Sequence, residues 1–166
     1  MKKGGSAVFC NQPMFRQGVS ALIANSRKEF LVVNLVSFEP KFFAVPGGGV
    51  EPGETRKEAV YRELKEELNI NKRSLLLIGK SDLPMMIEFK TIKYNDECKE
   101  FDGMERYFFG FRFIGKDSEI KPDKKEVRSY QWVSFPNLKD YLLFDCQLEE
   151  TTGKIFEIFP NILSEN

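Results

Sequence analysis

The 166-residue chain contains no histidine. General-base work at neutral pH therefore falls to carboxylates, lysine, tyrosine or water. Cysteine is scarce: Cys10, Cys98 and Cys146 stand far apart and in no metal-ligand spacing. They are expected to be reduced thiols of a cytoplasmic protein rather than a disulfide framework. No apolar run is long enough to span a membrane, and Met1-Lys2-Lys3 lacks the apolar stretch that a signal peptide needs. An excess of either charge is missing too, with 25 basic residues against 25 acidic ones. That balance argues against a broad basic surface for duplex DNA, though it leaves room for a local basic groove. The length suits one domain with a sizeable core, expected over residues 15–166 behind a loose N-terminal arm at 1–14.

What the chain does have is a glycine-rich turn running into a charged helix. Glycines at 47, 48, 49 and 53 allow close backbone approach to a ligand. Thr55 followed by Glu58 is a capping box, so a helix is expected from about residue 56. At about 3.6 residues per turn, Glu63, Glu66 and Glu67 share one arc of that helix. Val60, Leu64 and Leu68 form the neighbouring apolar arc, which must face a core. Like charges so close repel, and hard divalent cations with oxygen ligands reverse that sign, Mg²⁺ above all beside phosphates. The plainer alternative is a solvated helix in which Lys57, Arg62 and Lys65 offset the acids. The glycine turn immediately upstream favours a binding site, because an ordinary surface helix has no use for it.

Around this segment the chain alternates strands and loops. A strand over 18–24 and another over 29–36 are expected to form a hairpin through the Asn25–Lys28 turn. Short strands are expected at 42–45, 75–78, 86–93 and 129–133, with a charged loop over 94–103. Tyr107, Phe109, Phe111 and Phe113 alternate along one face of a core strand at 106–114. Pro136 sits where a helix would start, and a last helix is expected over about 146–159, with Leu148, Ile155 and Phe159 inward. Mixed strands with a central and a C-terminal helix make an α/β sandwich. Phe15, Phe42, Phe43 and Tyr130 could stack on a base, although most of the 16 phenylalanines are needed for the core.

Gly48, five residues, Glu54, seven residues, then Arg62-Glu63-Leu64-x-Glu66-Glu67-x-Asn69-Ile70 resembles the Nudix box of the Nudix, or MutT-like, hydrolases. One position departs: Asn69 stands where the family has glycine, at a post-helical position where asparagine tolerates the left-handed conformation. The resemblance implies a Nudix fold, a mixed β-sheet between α-helices. It also implies a hydrolase that uses Mg²⁺ or Mn²⁺ to cleave a pyrophosphate linkage in a nucleoside diphosphate joined to some group X. Glu63, Glu66 and Glu67 match the metal-binding carboxylates, with Glu66 and Glu67 also in catalytic roles. Arg62 and Glu54 match the pair that braces the loop against the helix, and Glu54 is also expected to reach a metal through water. Gly48 and Gly49 would offer backbone contacts to substrate.

Glu126, six residues before Trp132, is placed like a late acid of RNA pyrophosphohydrolases that serves as base or extra metal ligand. Arg16 resembles a phosphate-contacting arginine of the same branch. Each is equally readable as an ordinary surface charge. The box begins too early for the extra N-terminal sheet of many ADP-ribose enzymes, which favours nucleoside triphosphates, dinucleoside polyphosphates or the 5′ end of RNA as substrate. Against the RNA branch stand Pro46-Gly47-Gly48 in place of Pro-Gln-Gly and the lack of an arginine in residues 30–36. Pro84 hints at nucleotide sugars. A Nudix-fold module that only binds nucleotides is the alternative of another class, although such modules tend to lose the carboxylates retained here. A monomer or homodimer without a membrane partner is expected.

Overall fold

The computed structural model describes residues 12–94 and 99–162. Most of the expected arm (1–11), Cys10 and Cys98 lie outside the described residues. Seven strands form one sheet: β1 (Phe15–Ala24), β2 (Glu29–Leu35), β3 (Gly47–Gly49), β4 (Leu75–Lys80), β5 (Met85–Tyr94), β6 (Glu100–Phe113) and β7 (Val127–Ser134). Helices α1 (Arg56–Leu68) and α2 (Gln147–Ile158) cover its two faces. The sheet runs β4-β6-β1-β2-β7, with β3 joined to β1 and β5 to β6. β1 and β6 are parallel from Phe15 opposite Gly103 to Ala24 opposite Arg112, and the other pairings are antiparallel. The sheet is therefore mixed, as expected.

Period-two alternation divides the core. Val19, Ala21 and Ile23 of β1, with Phe109, Phe111 and Phe113 of β6, pack under Val60, Leu64 and Leu68 of α1. Leu22, Ala24 and Phe108 point the other way and pack with Ile155, Ile158 and Phe159 at α2. Helix α1 starts where its capping box requires: the Glu58 N–H donates to the Thr55 hydroxyl and the Thr55 N–H to the Glu58 carboxylate. It ends at Asn69, whose φ of 57° is the left-handed conformation expected at the departing position of the motif.

Several expectations need correction. Residues 42–45 do not form a strand; Ala44 makes an isolated bridge to Val33. The glycine turn is itself a strand, with Gly47, Gly48 and Gly49 opposite Ser20, Val19 and Gly18. Both differences have one cause. β1 and β2 pair at the hairpin end, Ala24 opposite Phe30, and then separate. The 44–50 segment fills the wedge between them, through Val33 N–H to the Ala44 carbonyl (2.8 Å), Ala21 N–H to Pro46 (2.8 Å) and Val50 N–H to Gln17 (3.0 Å). Third, the charged loop at 94–103 is shorter than expected, since β5 reaches Tyr94 and β6 begins at Glu100; residues 95–98 fall outside the described residues. The helix expected at Pro136 is a 3-10 helix (Phe135–Asp140), with the proline in its first turn. No helix among the described residues is long and apolar enough to cross a membrane.

Candidate active site

The wedge brings the glycine strand against the acidic arc of α1. The Gly47 N–H donates to the Glu67 carboxylate at 3.2 Å. A Cβ at Gly48 would lie 2.3 Å from the Glu63 carboxyl carbon, so only glycine lets that carboxylate rest on the strand. A Cβ at Gly49 would lie 2.3 Å from Nη2 of Arg16, whose guanidinium covers that glycine. Glu63 and Glu67 thus lie against Gly48 and Gly47, while Arg16 covers the next glycine on the strand.

Arg62 fixes the surrounding frame. Its Nη2 and Nε donate to the two oxygens of Glu54 at 2.7 and 3.1 Å, and Nη2 also reaches the Gly49 carbonyl at 2.9 Å. Its Nη1 donates to Glu63 and Glu66, both at 3.0 Å. Glu54 accepts in addition the Glu51 N–H at 2.7 Å. A planar guanidinium can hold this many acceptors at once, whereas an ammonium cannot. The Arg62 hydrogen bonds hold the Glu54 carboxyl below its usual range. Both Glu54 oxygens are occupied within the brace, and the Glu66 side chain is 56% exposed on the outer rim.

Glu126 arrives from the loop before β7. That loop is pinned to the end of α1 by Lys121 N–H to the Leu68 carbonyl and Asp123 N–H to the Glu67 carbonyl, both 2.8 Å. The Glu126 carbonyl accepts the Val36 N–H at 2.8 Å. Its exposed side chain lies close enough to act electrostatically on both Glu63 and Glu67. The structure therefore sets Glu126 within electrostatic reach of the cluster.

Glu67 is 4% exposed. Burial, reinforced by the Glu63 charge, pushes its carboxyl up to about 8. Burial likewise raises Glu63, while Arg62 pulls it down. A buried, mutually repelling oxygen cluster is chemistry suited to a hard divalent cation. Among the described residues no three carboxylates already converge on one point. Repulsion among the acids and the pull of Arg62 on Glu63 and Glu66 both oppose such convergence. The donors fit a cation without being closed around one.

A stability effect follows. Without metal the folded chain keeps a proton on Glu67 that the unfolded chain releases at ordinary carboxylate pH. That contribution to stability is complete below about pH 4.5 and is lost as pH rises through about 8. In chelator, Tm should fall between pH 5 and pH 8 by roughly 5–10 °C, the equivalent of a few kcal/mol. Mg²⁺ should restore stability by mass action, most strongly at the alkaline end. Thermal melts across pH, with chelator or Mg²⁺, test this; a flat chelator profile would refute it.

Arg106 is the residue that sequence reasoning missed. It stands on β6 opposite Gly18, and its Nη1 donates to the Ser20 hydroxyl at 3.1 Å. Burial pushes its guanidinium down from the ordinary value, against the pull of Glu67 and Glu63. The available signal was its phase: Arg106 falls in register with Phe108, on an inward face where a charge is unusual. Of the candidate stacking rings, Phe43 packs into the core beside α2 and Phe15 closes over Gly103. Tyr130 packs into the α1 side. Phe42 instead stacks on Phe144, with centroids 4.6 Å apart, and Phe38 meets Phe144 edge-on at 4.9 Å.

Known proteins share the fold and the family pattern of this chain. The NUDIX domain model matches residues 14–150. An RNA pyrophosphohydrolase of Pelagibacter ubique is 30% identical over 154 residues, covering 89% of this chain and 95% of that protein. Among solved structures, an Ap4A hydrolase of C. elegans superposes with a TM-score of 0.65 at 19% identity, over 90% of this chain and 98% of that one. A MutT protein of Methanosarcina mazei Go1 gives 0.58 at 22% identity, over 84% and 91%. At those identities the structural likeness shows the fold, while the domain match and the 30% identical relative show the family. The chain belongs to the Nudix family, as an enzyme that hydrolyses pyrophosphate linkages.

Proposed function

We propose that this Nudix enzyme acts on the 5′-triphosphate end of RNA, with Mg²⁺ or Mn²⁺ as cofactor. The observation that carries the chemistry is the buried Glu63–Glu67 pair held against the glycine strand with Glu126 beside it. The likeness to an RNA pyrophosphohydrolase over nearly the full length of both chains supports RNA as the substrate. The Phe38–Phe42–Phe144 group supports it too. Its loop is tied to the Glu126 backbone through Val36 and leads into the glycine strand, which makes these rings the candidates to stack on a base.

Glu63 and Glu67 would hold the cation, and Arg62 keeps their helix in register with the glycine strand. A bound divalent cation supplies charge neutralisation on the phosphates and makes water at the site more acidic. Arg16 and the backbone of Gly48 and Gly49 orient the phosphate chain. Water attacks a phosphorus, Glu126 takes its proton, a new P–O bond forms and the anhydride P–O bond breaks. The domain is taken as 15–166, acting in the cytoplasm as a monomer or homodimer.

Phosphate and pyrophosphate release from a 5′-triphosphate RNA oligonucleotide, ATP, a dinucleoside tetraphosphate and ADP-ribose, with and without Mg²⁺ or Mn²⁺, tests the proposal. The RNA should have a kcat/KM at least about 10-fold above the others, a difference of roughly 1.4 kcal/mol in transition-state binding. Preference for a free nucleotide or a nucleotide sugar would replace RNA as substrate. No metal-dependent turnover of any of them would leave only a binding module.

A further inference from the structure

Arg106 is a cation without a matching anion. The register of β6 sets it opposite Gly18 on β1 and Met85 on β5, so its side chain leaves on the sheet face shared with Ser20 and Phe108. Its hydrogen-bond acceptors are neutral and weak: the Ser20 hydroxyl at 3.1 Å and the Met104 sulfur at 3.3 Å. Its Nε is the one buried side-chain nitrogen or oxygen among the described residues that lacks any partner. A guanidinium carries five N–H donors, and a half-buried charge left this poorly paired is destabilising. Among the described residues no carboxylate forms a salt bridge with it, although Glu67 and Glu63 are near enough to feel its charge.

A purely structural arginine in such a place would be expected to close on one of those acids. This one is instead held by Ser20 and Met104, with a spare donor at Nε and the acidic cluster within electrostatic reach. Arg16 lies two residues before Gly18 on the same strand face, opposite Met104, with its guanidinium over Gly49. Two guanidiniums therefore flank the Gly18–Gly49 patch, across the glycine strand from Glu63. A polyphosphate is the ligand class with enough negative charge and enough acceptor oxygens to engage both.

We propose that Arg106 is a substrate-binding residue which, with Arg16, forms a two-guanidinium cradle for the phosphate chain. The assignment rests on the pyrophosphate-cleaving site between Glu67 and β1 and adds the residue that grips the chain from the sheet. Substrate supplies the anion that Arg106 lacks in the free protein.

The test uses inorganic pyrophosphate as probe, with the Mg²⁺-loaded protein and the variants Arg106→Met and Arg106→Lys. Pyrophosphate binding by calorimetry should weaken about 10- to 100-fold in R106M, the loss of a charge-assisted contact, and recover in part in R106K. With substrate, KM should rise more than kcat falls. Mg²⁺ affinity without pyrophosphate should not weaken. Because R106M removes a half-buried charge with no salt-bridge partner, its Tm without ligand should equal or exceed that of wild type. A variant that melts well below wild type, or does not fold, would show a structural arginine and overturn the proposal, as would pyrophosphate affinity unchanged within about twofold. Loss of pyrophosphate binding in a protein that turns over none of the substrates would uphold the cradle while removing the enzymatic reading. Turnover of RNA with unchanged pyrophosphate affinity in R106M would do the reverse.

Discussion

Replacing Glu67 by glutamine is expected to lower kcat by at least about 10²-fold, the usual scale for removing one strong electrostatic stabiliser from an active site. The substitution keeps the shape of the side chain, and the amide oxygen can still accept the Gly47 N–H. What disappears is a carboxylate that is 4% exposed and faces Glu63 and Glu126. Folding should not suffer. In chelator at pH 8 the variant should melt at or above the wild-type temperature, because a repulsive buried charge is gone. It should also lose most of the pH dependence of Tm and most of the response to Mg²⁺. The decisive combination is retained fold, lost turnover and lost metal response. Near wild-type kcat at saturating Mg²⁺ would move the metal site away from Glu67.

The parts of this molecule legible in the sequence are those fixed by local chemistry. Thr55 and Glu58 cap α1, and Asn69 ends it, through contacts spanning a few residues, so its bounds could be read directly. The aromatic alternation of β6 likewise named its inward face. What the sequence hid depends on partners far along the chain. Gly47–Gly49 carry no alternation and no β-branched side chain, and they become a strand because β1 and β2 separate and leave an edge to be filled. Residues 42–45 are apolar enough for a strand, yet that wedge leaves Ala44 a single bridge. Arg106 was hidden for a related reason. Its significance lies in the parallel register that sets it opposite Gly18, within electrostatic reach of acids some forty residues earlier in the chain. The box motif pointed to Glu63 and Glu67 by their spacing on the helix. That Glu54 is consumed by Arg62 and Glu66 turned outward could be known only from the folded brace.

Glu126 carries the other large expected effect. Its backbone is held on both sides, by the Asp123 contact to the end of α1 and by Val36, while its exposed side chain is within electrostatic reach of Glu63 and Glu67. A side chain on a fixed backbone with a free carboxylate is suited to accept a proton from the attacking water. If it does so, Glu126→Ala should lower kcat by about 10²- to 10⁴-fold, the range for a general base, with little change in KM. The acidic limb of the kcat–pH profile should vanish with it, since that limb would report this carboxylate in the enzyme–substrate complex. Stability should stay within about 0.5 kcal/mol of wild type, as for exposed positions generally. Glu126→Gln should match the alanine variant in rate, because the amide restores size and hydrogen bonding but not basicity. Were either variant to keep kcat within about twofold and retain the acidic limb, Glu126 would be a loop residue and the base would have to be sought elsewhere. An intermediate loss of rate with the limb intact would instead mean that Glu126 acts through its charge on Glu63 and Glu67 without taking the proton.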